Sequence, residues 1–455
     1  MRWWWLCSAA LLCAVPDAHA HLRLQSSAPA HGDTVRQPLT EIRLVFTQPV
    51  EARYTVVTLL DAYGREIRLG TLVPVGSSPT TQYLLELERP LMSGAFTVRW
   101  KTAGTDAHVV SGLFDFVVDV MTSDSAAATA PTTTPPTHND DHRASAELQP
   151  MYNPETSPAW LVARWLNFVA LLLVVGTVAF RFGVLERARK QLDAPTVVEF
   201  DDGVRRLGVV AALLLIVSSG MRLWLQSGSL HGPEHMWHPS MLSAMIFKTG
   251  WGKAWLAQTV AAFGFLIAVR VKTQERLESW FSALPFAVIA ASTPAFSGHA
   301  AAVQQMAIVP VVDDAIHVMA ASAWLGTLAV LLFTAVPRAL RAVHGFETIS
   351  VLVRTFSPFA LAMATIAIFT GALNAFVHIA SVQDLWTTPY GRLLSLKIGL
   401  VLIALTIGAY NWQVVKPRLG TASVTTHFQK SAASELAVAV IILLITAVLV
   451  GTPTD

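Results

Sequence analysis

At 455 residues the chain is long enough for more than one domain, and it is 53% hydrophobic and 14% charged, against about 25% charge in an ordinary soluble protein. That balance, with a mean hydropathy of +0.50, excludes a single soluble globular domain and points to a membrane protein. A net charge of +2, with no basic run or interleaved aromatic patch, gives no nucleic-acid partner.

Residues 1–20 read as a signal peptide: Arg2 is the positive end, Trp3 to Val15 form a short apolar core, and Ala18-His19-Ala20 is a cleavage site of the A-x-A kind. The apolar run is too short for a stable bilayer span. Cleavage after Ala20 makes His21 the first residue. Both cysteines, Cys7 and Cys13, fall in the removed segment, so thiolate metal sites and disulfides are excluded from the mature chain. A terminal histidine offers its α-amine and ring Nδ1 to one metal ion. The amine, with a reference pKa of about 7.7–8, gives up its proton readily to a bound divalent ion. Two nitrogens so placed suit the tetragonal preference of Cu(II).

Residues 21–120 alternate as half-buried strands do, in Ile42 to Phe46, Tyr54 to Val57, Tyr83 to Leu87, Phe96 to Trp100 and Leu113 to Val117. Turn signals at Ala62-Tyr63-Gly64 and Met92-Ser93-Gly94 separate them. The spacing predicts a small all-β sandwich or barrel. Between two of these strands, Asp106 and His108 stand two residues apart and can point the same way. Alone they read better as a turn aspartate and an exposed histidine. With His21 they make a candidate Cu(II) site.

Residues 121–157 turn to Ala, Thr, Pro, Ser and Asp and read as a disordered linker, in which His138 and His142 are solvated. Residues 158–455 hold eight apolar stretches of spanning length, at 159–181, 205–227, 253–271, 281–298, 311–336, 354–379, 391–414 and 432–452. With the β domain exported, the loops after the odd-numbered spans are cytoplasmic. These carry the basic residues, among them Arg187, Lys190, Lys272, Arg338, Arg341, Lys416 and Lys430, as the positive-inside rule requires. The chain is thus expected in a bacterial inner membrane, with its N-terminal domain and C-terminus periplasmic and the lipid bilayer as a partner.

Polar groups within spans cost about 2.5–3.5 kcal/mol per charge and need a reason. Asp314 and His317 share one helix face near the outer end of the fifth span. His299 ends the fourth span and His378 the sixth on the same side, which makes these four a candidate entry or relay site for a metal. Helix-end histidines that cap carbonyls, and an aspartate–histidine pair that only fixes packing, are the structural alternatives. A weaker cluster follows the second span: His235 with His238, and Met241 with Met245, have helical spacing. Lys397 and Glu435 pair with each other or steer a cation. His344 and His427 read as solvated cytoplasmic-loop residues.

The stretch from Gly94 to Gly112, containing Asp106-Ala107-His108, resembles the signature of the CopC family of periplasmic copper proteins, as do Ala20-His21-Leu22 and Phe46-Thr47-Gln48-Pro49-Val50. The resemblance implies a Greek-key β barrel of the immunoglobulin-like sandwich kind, with Cu(II) held by His21, Asp106 and His108. Ala107 and Val109 depart from the family's glycine and proline and leave the ligands intact. Met92 is the only methionine between His21 and Val120, so a Cu(II)-only site is expected. The membrane part resembles the CopD family in Ala163 to Leu166, Ser297 to Ala300, Asp314 to His317 with Trp324-Leu325-Gly326, Phe356-Ser357-Pro358, Pro389 to Leu394 with Lys397, and Glu435. Asn167 stands where a family histidine is expected.

Taken together, the expectation is a β domain and an eight-helix membrane domain that bind periplasmic Cu(II) and move copper for import or resistance, with periplasmic copper donor proteins as partners. No Walker motif supports ATP-driven pumping. Two other classes remain: a haem-containing or copper-based membrane redox enzyme of the cupric-reductase kind, and a copper-delivery factor for oxidase assembly. N-terminal sequencing of the purified protein is expected to return His21-Leu22-Arg23; an intact Met1 removes the terminal ligand.

Overall fold

The computed structural model describes residues 22–76, 79–104, 109–120, 157–271, 276–297, 308–379 and 381–452. It contains a β unit and a helical unit.

The β unit is a two-sheet sandwich. Its strands are β1 (Leu24–Ala28), β2 (Thr34–Val35), β3 (Leu39–Val50), β4 (Val56–Asp61), β5 (Glu66–Ile67), β6 (Leu69–Pro74), β7 (Thr80–Leu91), β8 (Gly94–Ala103) and β9 (Val109–Val118). One sheet has the order β1-β3-β7-β6 and the other β2-β9-β8-β4-β5, with the chain crossing between sheets after β1, β2, β3, β5 and β7. Alternation along each strand puts one face inward. Ile42, Leu44 and Phe46 of β3 thus meet Tyr83 and Leu85 of β7, Val98 and Trp100 of β8, and Phe114 and Phe116 of β9 in one core. Gly112 is required there, because an added Cβ would lie 2.7 Å from the Trp100 ring. The expected strand at Tyr54 to Val57 starts later: Ala52–Tyr54 form a 3-10 turn.

In the helical unit every expected apolar stretch is a helix of spanning length and composition, eight in all among the described residues. We name its helices α1 (Pro158–Phe180), α2 (Ala194–His231), α3 (Pro239–Lys248), α4 (Gly250–Arg270), α5 (Arg276–Ser297), α6 (Ile308–Val330), α7 (Gly345–His378), α8 (Asp384–Thr387), α9 (Pro389–Tyr410) and α10 (Ala422–Leu449). The short α3 and α8 lie outside the apolar stretches of spanning length. The eighth span starts ten residues earlier than the apolar stretch does, at Ala422, so His427 lies in a helix and bonds Tyr410 at 3.0 Å rather than standing in a solvated loop. Apolar content marks the hydrocarbon depth, whereas a helix continues into polar residues of adequate propensity.

Helices α1 and α6 touch backbone to backbone: a Cβ on Gly326 would fall 2.1 Å from the Leu172 carbonyl oxygen and 2.8 Å from the Gly176 Cα. Three of the crossings, α1, α6 and α9, end in a five-residue π-helical turn, at Arg181–Leu185, Leu331–Ala335 and Asn411–Val415. These are the first, fifth and seventh crossings, so all three run in one direction through the bilayer.

At the first of these turns lies a buried charge network. Asp201 of α2 is 2% exposed and accepts from Arg181 Nε at 3.0 Å, Arg205 Nε at 2.8 Å and Trp280 Nε1 at 2.8 Å. Arg181 also reaches Glu186 at 2.7 Å, and Arg205 the Val269 carbonyl at 3.2 Å. One carboxylate thereby ties α1, α2 and α5 together. Asp201→Ala leaves two buried guanidinium groups short of counter-charge. A loss of about 3–5 kcal/mol is expected, read as a lowered melting temperature of the detergent-solubilised variant relative to wild type.

Candidate functional site

Among the described residues no group of three or more His, Asp or Glu side chains is arranged to hold a metal. His21, Asp106, His108 and His299 lie outside the described residues, and His378 does so in its side chain. The framework next to the first three is described. Arg23 exchanges hydrogen bonds with Thr47, donating its N–H to Oγ1 at 2.9 Å and accepting the Thr47 N–H at 2.9 Å. Val50 bridges Gly104, and Glu51 donates to the Ala103 carbonyl at 3.2 Å. The last residues of β3 therefore border both the chain entering β1 and the end of β8. Tyr83 Oη donates to the Val50 carbonyl at 2.8 Å, and the Thr55 and Thr102 hydroxyls meet at 2.7 Å. These bonds hold that end of the sandwich.

In the helical unit the structure brings Asp314, His317 and Lys397 together and adds partners. His317 Nδ1 lies 2.9 Å from the Ala367 carbonyl and 3.2 Å from Thr370 Oγ1. A carbonyl only accepts, so Nδ1 carries the proton and Nε2 keeps its lone pair. Gly371 leaves room for the ring, because a Cβ there would stand 2.9 Å from His317 Cε1. Asn374 Nδ2 reaches Asp314 Oδ1 at 3.5 Å, and Lys397 lies within electrostatic reach of Asp314 and His317. Tyr390, at the start of α9, is also within reach of Asp314. Asp314 and His317 on α6, Thr370 and Asn374 on α7, and Tyr390 and Lys397 on α9 thus form one polar cluster inside otherwise apolar helices.

Lys397 and Glu435 do not pair. Glu435, 4% exposed on α10, accepts from Asn411 Nδ2 at 3.4 Å and from the Trp324 indole. The outer-loop residues also separate by role. His238 stands at the N-cap of α3 with Nδ1 2.9 Å from Ser240 Oγ, and His235 is exposed in the preceding turn. Met245 is fully buried packing and Met241 is 37% exposed, so the two methionines present no common open face.

Sequence reading missed Thr370, Tyr390, Trp324 and Asn411 as partners, although Tyr390 and Trp324 lie inside stretches it singled out. The structure also shows a register. Asn167, His317 and Lys397 each stand fourteen residues before the start of a π-helical turn, about 21 Å along the helix. Three parallel crossings thereby carry a polar residue at one level. Asn167 is 2% exposed, and its Oδ1 has no hydrogen-bond partner among the described residues.

Three family models match the chain: the CopC domain over residues 24–119, the copper resistance protein D-like N-terminal domain over 154–309, and copper resistance protein D over 350–449. Asp314, His317 and Trp324 fall between the last two matches, and Lys397 and Glu435 within the last. The chain is 24% identical over 460 residues to the copper transport protein CutJ of Bacillus subtilis (strain 168), covering 99% of this chain and 78% of that protein. It is 27% identical over 264 residues to the inner membrane protein YebZ of Escherichia coli (strain K12), covering 57% and 85%. Among solved structures, CopC from Methylosinus trichosporium OB3b matches at 23% identity over 23% of this chain and 98% of that one, with a TM-score of 0.21. PcoC, a methionine-rich copper resistance protein from Escherichia coli, matches at 22% identity over 22% and 99%, with a TM-score of 0.20. The chain is a multi-pass membrane protein of the copper resistance families, with a CopC domain joined in one polypeptide to copper resistance D domains.

Proposed function

We propose that the β unit binds Cu(II) on the periplasmic face of the inner membrane and that the helical unit carries copper across it, for import or homeostasis. Membership of copper resistance families and likeness to a protein named for copper transport support the coarse reading. The basic residues after the odd-numbered spans support the orientation.

The observation that carries the transport half is the cluster on α6, α7 and α9. Apolar crossings hold an aspartate, a histidine and a lysine within reach of one another, and ionisable groups inside such helices need compensating partners. Packing alone gives no reason for an imidazole whose Nδ1 is fixed by a backbone carbonyl and whose Nε2 is left with its lone pair. That is how proteins orient a metal-ligating histidine. Asp314, three residues away on the same face, supplies negative charge for an arriving cation.

For the β unit the ligand set is His21, Asp106 and His108. The joint attachment of Arg23 and Gly104 to the last residues of β3 supports their convergence. The α-amine and imidazoles must be unprotonated to bind, so affinity should fall as pH drops below their reference values of about 7.7–8 and 6.5.

In proteoliposomes holding the full chain, wild type is expected to accumulate copper while His317→Ala and Asp314→Asn lose accumulation; unchanged uptake removes the relay. Separately, His108→Ala is expected to weaken Cu(II) binding by more than the ~10–100-fold that loss of an outer-shell partner brings. Chelator competition on the full protein reads that loss, with an unaltered melting temperature as the folding control.

A further inference from the structure

The two π-helical turns that begin with a polar residue make the same construction twice. Arg181 opens the first and Asn411 the third, and each bonds a carboxylate on the next crossing, Asp201 of α2 or Glu435 of α10. Each carboxylate also accepts an indole N–H from a third helix, Trp280 of α5 or Trp324 of α6. The difference is charge. Asp201 has two guanidinium partners, both within 3.0 Å. Glu435 has only neutral ones: Asn411, Trp324 and, through Asn411 Oδ1, the hydroxyl of Ser431. Gly408 faces the carboxyl with no side chain, and a Cβ there would stand 3.4 Å from Oε1.

Charged or titratable groups on the elements packed against α10 include Arg164 on α1, Asp314 and His317 on α6, Arg354 on α7, and Tyr390, Lys397, Tyr410 and Lys416 on and after α9. His427 and Lys430 lie on α10 itself. None bonds Glu435 among the described residues. Glu435 is the fourteenth of the 28 residues of α10 and the fourth of the apolar stretch 432–452, toward the inner end of the crossing. Its partner Trp324 lies seven residues after His317 on α6, on the same helix stripe and about 10 Å further in.

We propose that Glu435 is a proton-exchanging site that couples copper passage to proton movement in the opposite direction. The idea rests on the transport reading above. As the cation passes from the level of His317 to that of Trp324, the carboxyl O–H bond breaks and its proton goes to water on the side copper came from. The passing cation balances the carboxylate left behind. A proton from water on the far side restores the acid once copper has moved on. Asp201, saturated by two arginines, has no such freedom and serves structure alone.

The test uses the full chain in liposomes with a pH-sensitive dye inside and copper added outside. Wild type is expected to raise the internal pH as copper enters, Glu435→Gln to lose that pH change, and Glu435→Asp, which keeps a carboxyl, to retain it. Copper entry by wild type without a pH change overturns the proposal, as does a full pH change in Glu435→Gln. Infrared difference spectra on the same samples separate this idea from the transport reading. If wild type moves no copper, the transport reading fails. A carboxylic-acid carbonyl band that titrates in wild type and is missing in Glu435→Gln then still supports exchange at Glu435, and the absence of such a band overturns it.

Discussion

Everything in the helical unit is arranged around the cost of a charge in hydrocarbon, about 2.5–3.5 kcal/mol by insertion scales and more where nothing relaxes around it. The chain meets that constraint most completely at Asp201. Three donors converge on its two oxygens, two of them charged, and the carboxylate becomes the tie between α1, α2 and α5. Such a network is weak evidence of net stabilisation, since an apolar replacement of the whole set is often neutral. Its consequence is specificity: with Arg181 and Arg205 both bonded to Asp201, and Arg181 also to Glu186, those helices have a register in which each of these charges is matched.

The same constraint makes the departures informative. Glu435 keeps the geometry of the Asp201 site, with a partner from a π-helical turn and an indole from a third helix, but not its compensation. The Asp314, His317 and Lys397 cluster brings both signs of charge together but leaves an imidazole nitrogen with its lone pair. π-Helical turns recur at functional sites because the extra residue re-aims the side chains around it. Here they do so at equal intervals below Asn167, His317 and Lys397, which makes α1, α6 and α9 variants of one helical pattern.

Much of this was legible in the residues. Alternation in Ile42 to Phe46 and Phe96 to Trp100 is enough to assign core-facing strands, because period-2 burial has no helical equivalent. The eight apolar runs are long enough that only a helix satisfies their backbone in lipid. Asp314 and His317 could be paired from spacing alone. Lys397 could not be placed, because an i, i+3 rule says nothing about which helices meet. Pairing it with Glu435 was reasonable on charge and wrong in space: Lys397 faces the Asp314 side and Glu435 faces Asn411. The Asp201 network was invisible for the same reason, since its members are spread from Arg181 to Trp280 and only packing brings them together. Helix ends were misjudged where polar residues extend a span, as at Ala422 to Lys430.

The polar level shared by α1, α6 and α9 bears on how such a site would handle copper. An amide at 167, an imidazole at 317 and an ammonium at 397 stand in equivalent positions, and only the imidazole is a strong copper ligand. An ammonium near His317 and Asp314 adds repulsion for a cation. A resident metal centre is built the other way, with three or four ligands closed around the ion. Conduction needs binding favourable enough to enter and weak enough to leave. One imidazole and one carboxylate, tempered by a neighbouring lysine, meet that requirement better than a full ligand set would. On the transport reading proposed above, asparagine in place of an expected histidine at 167 would weaken retention of copper at this level.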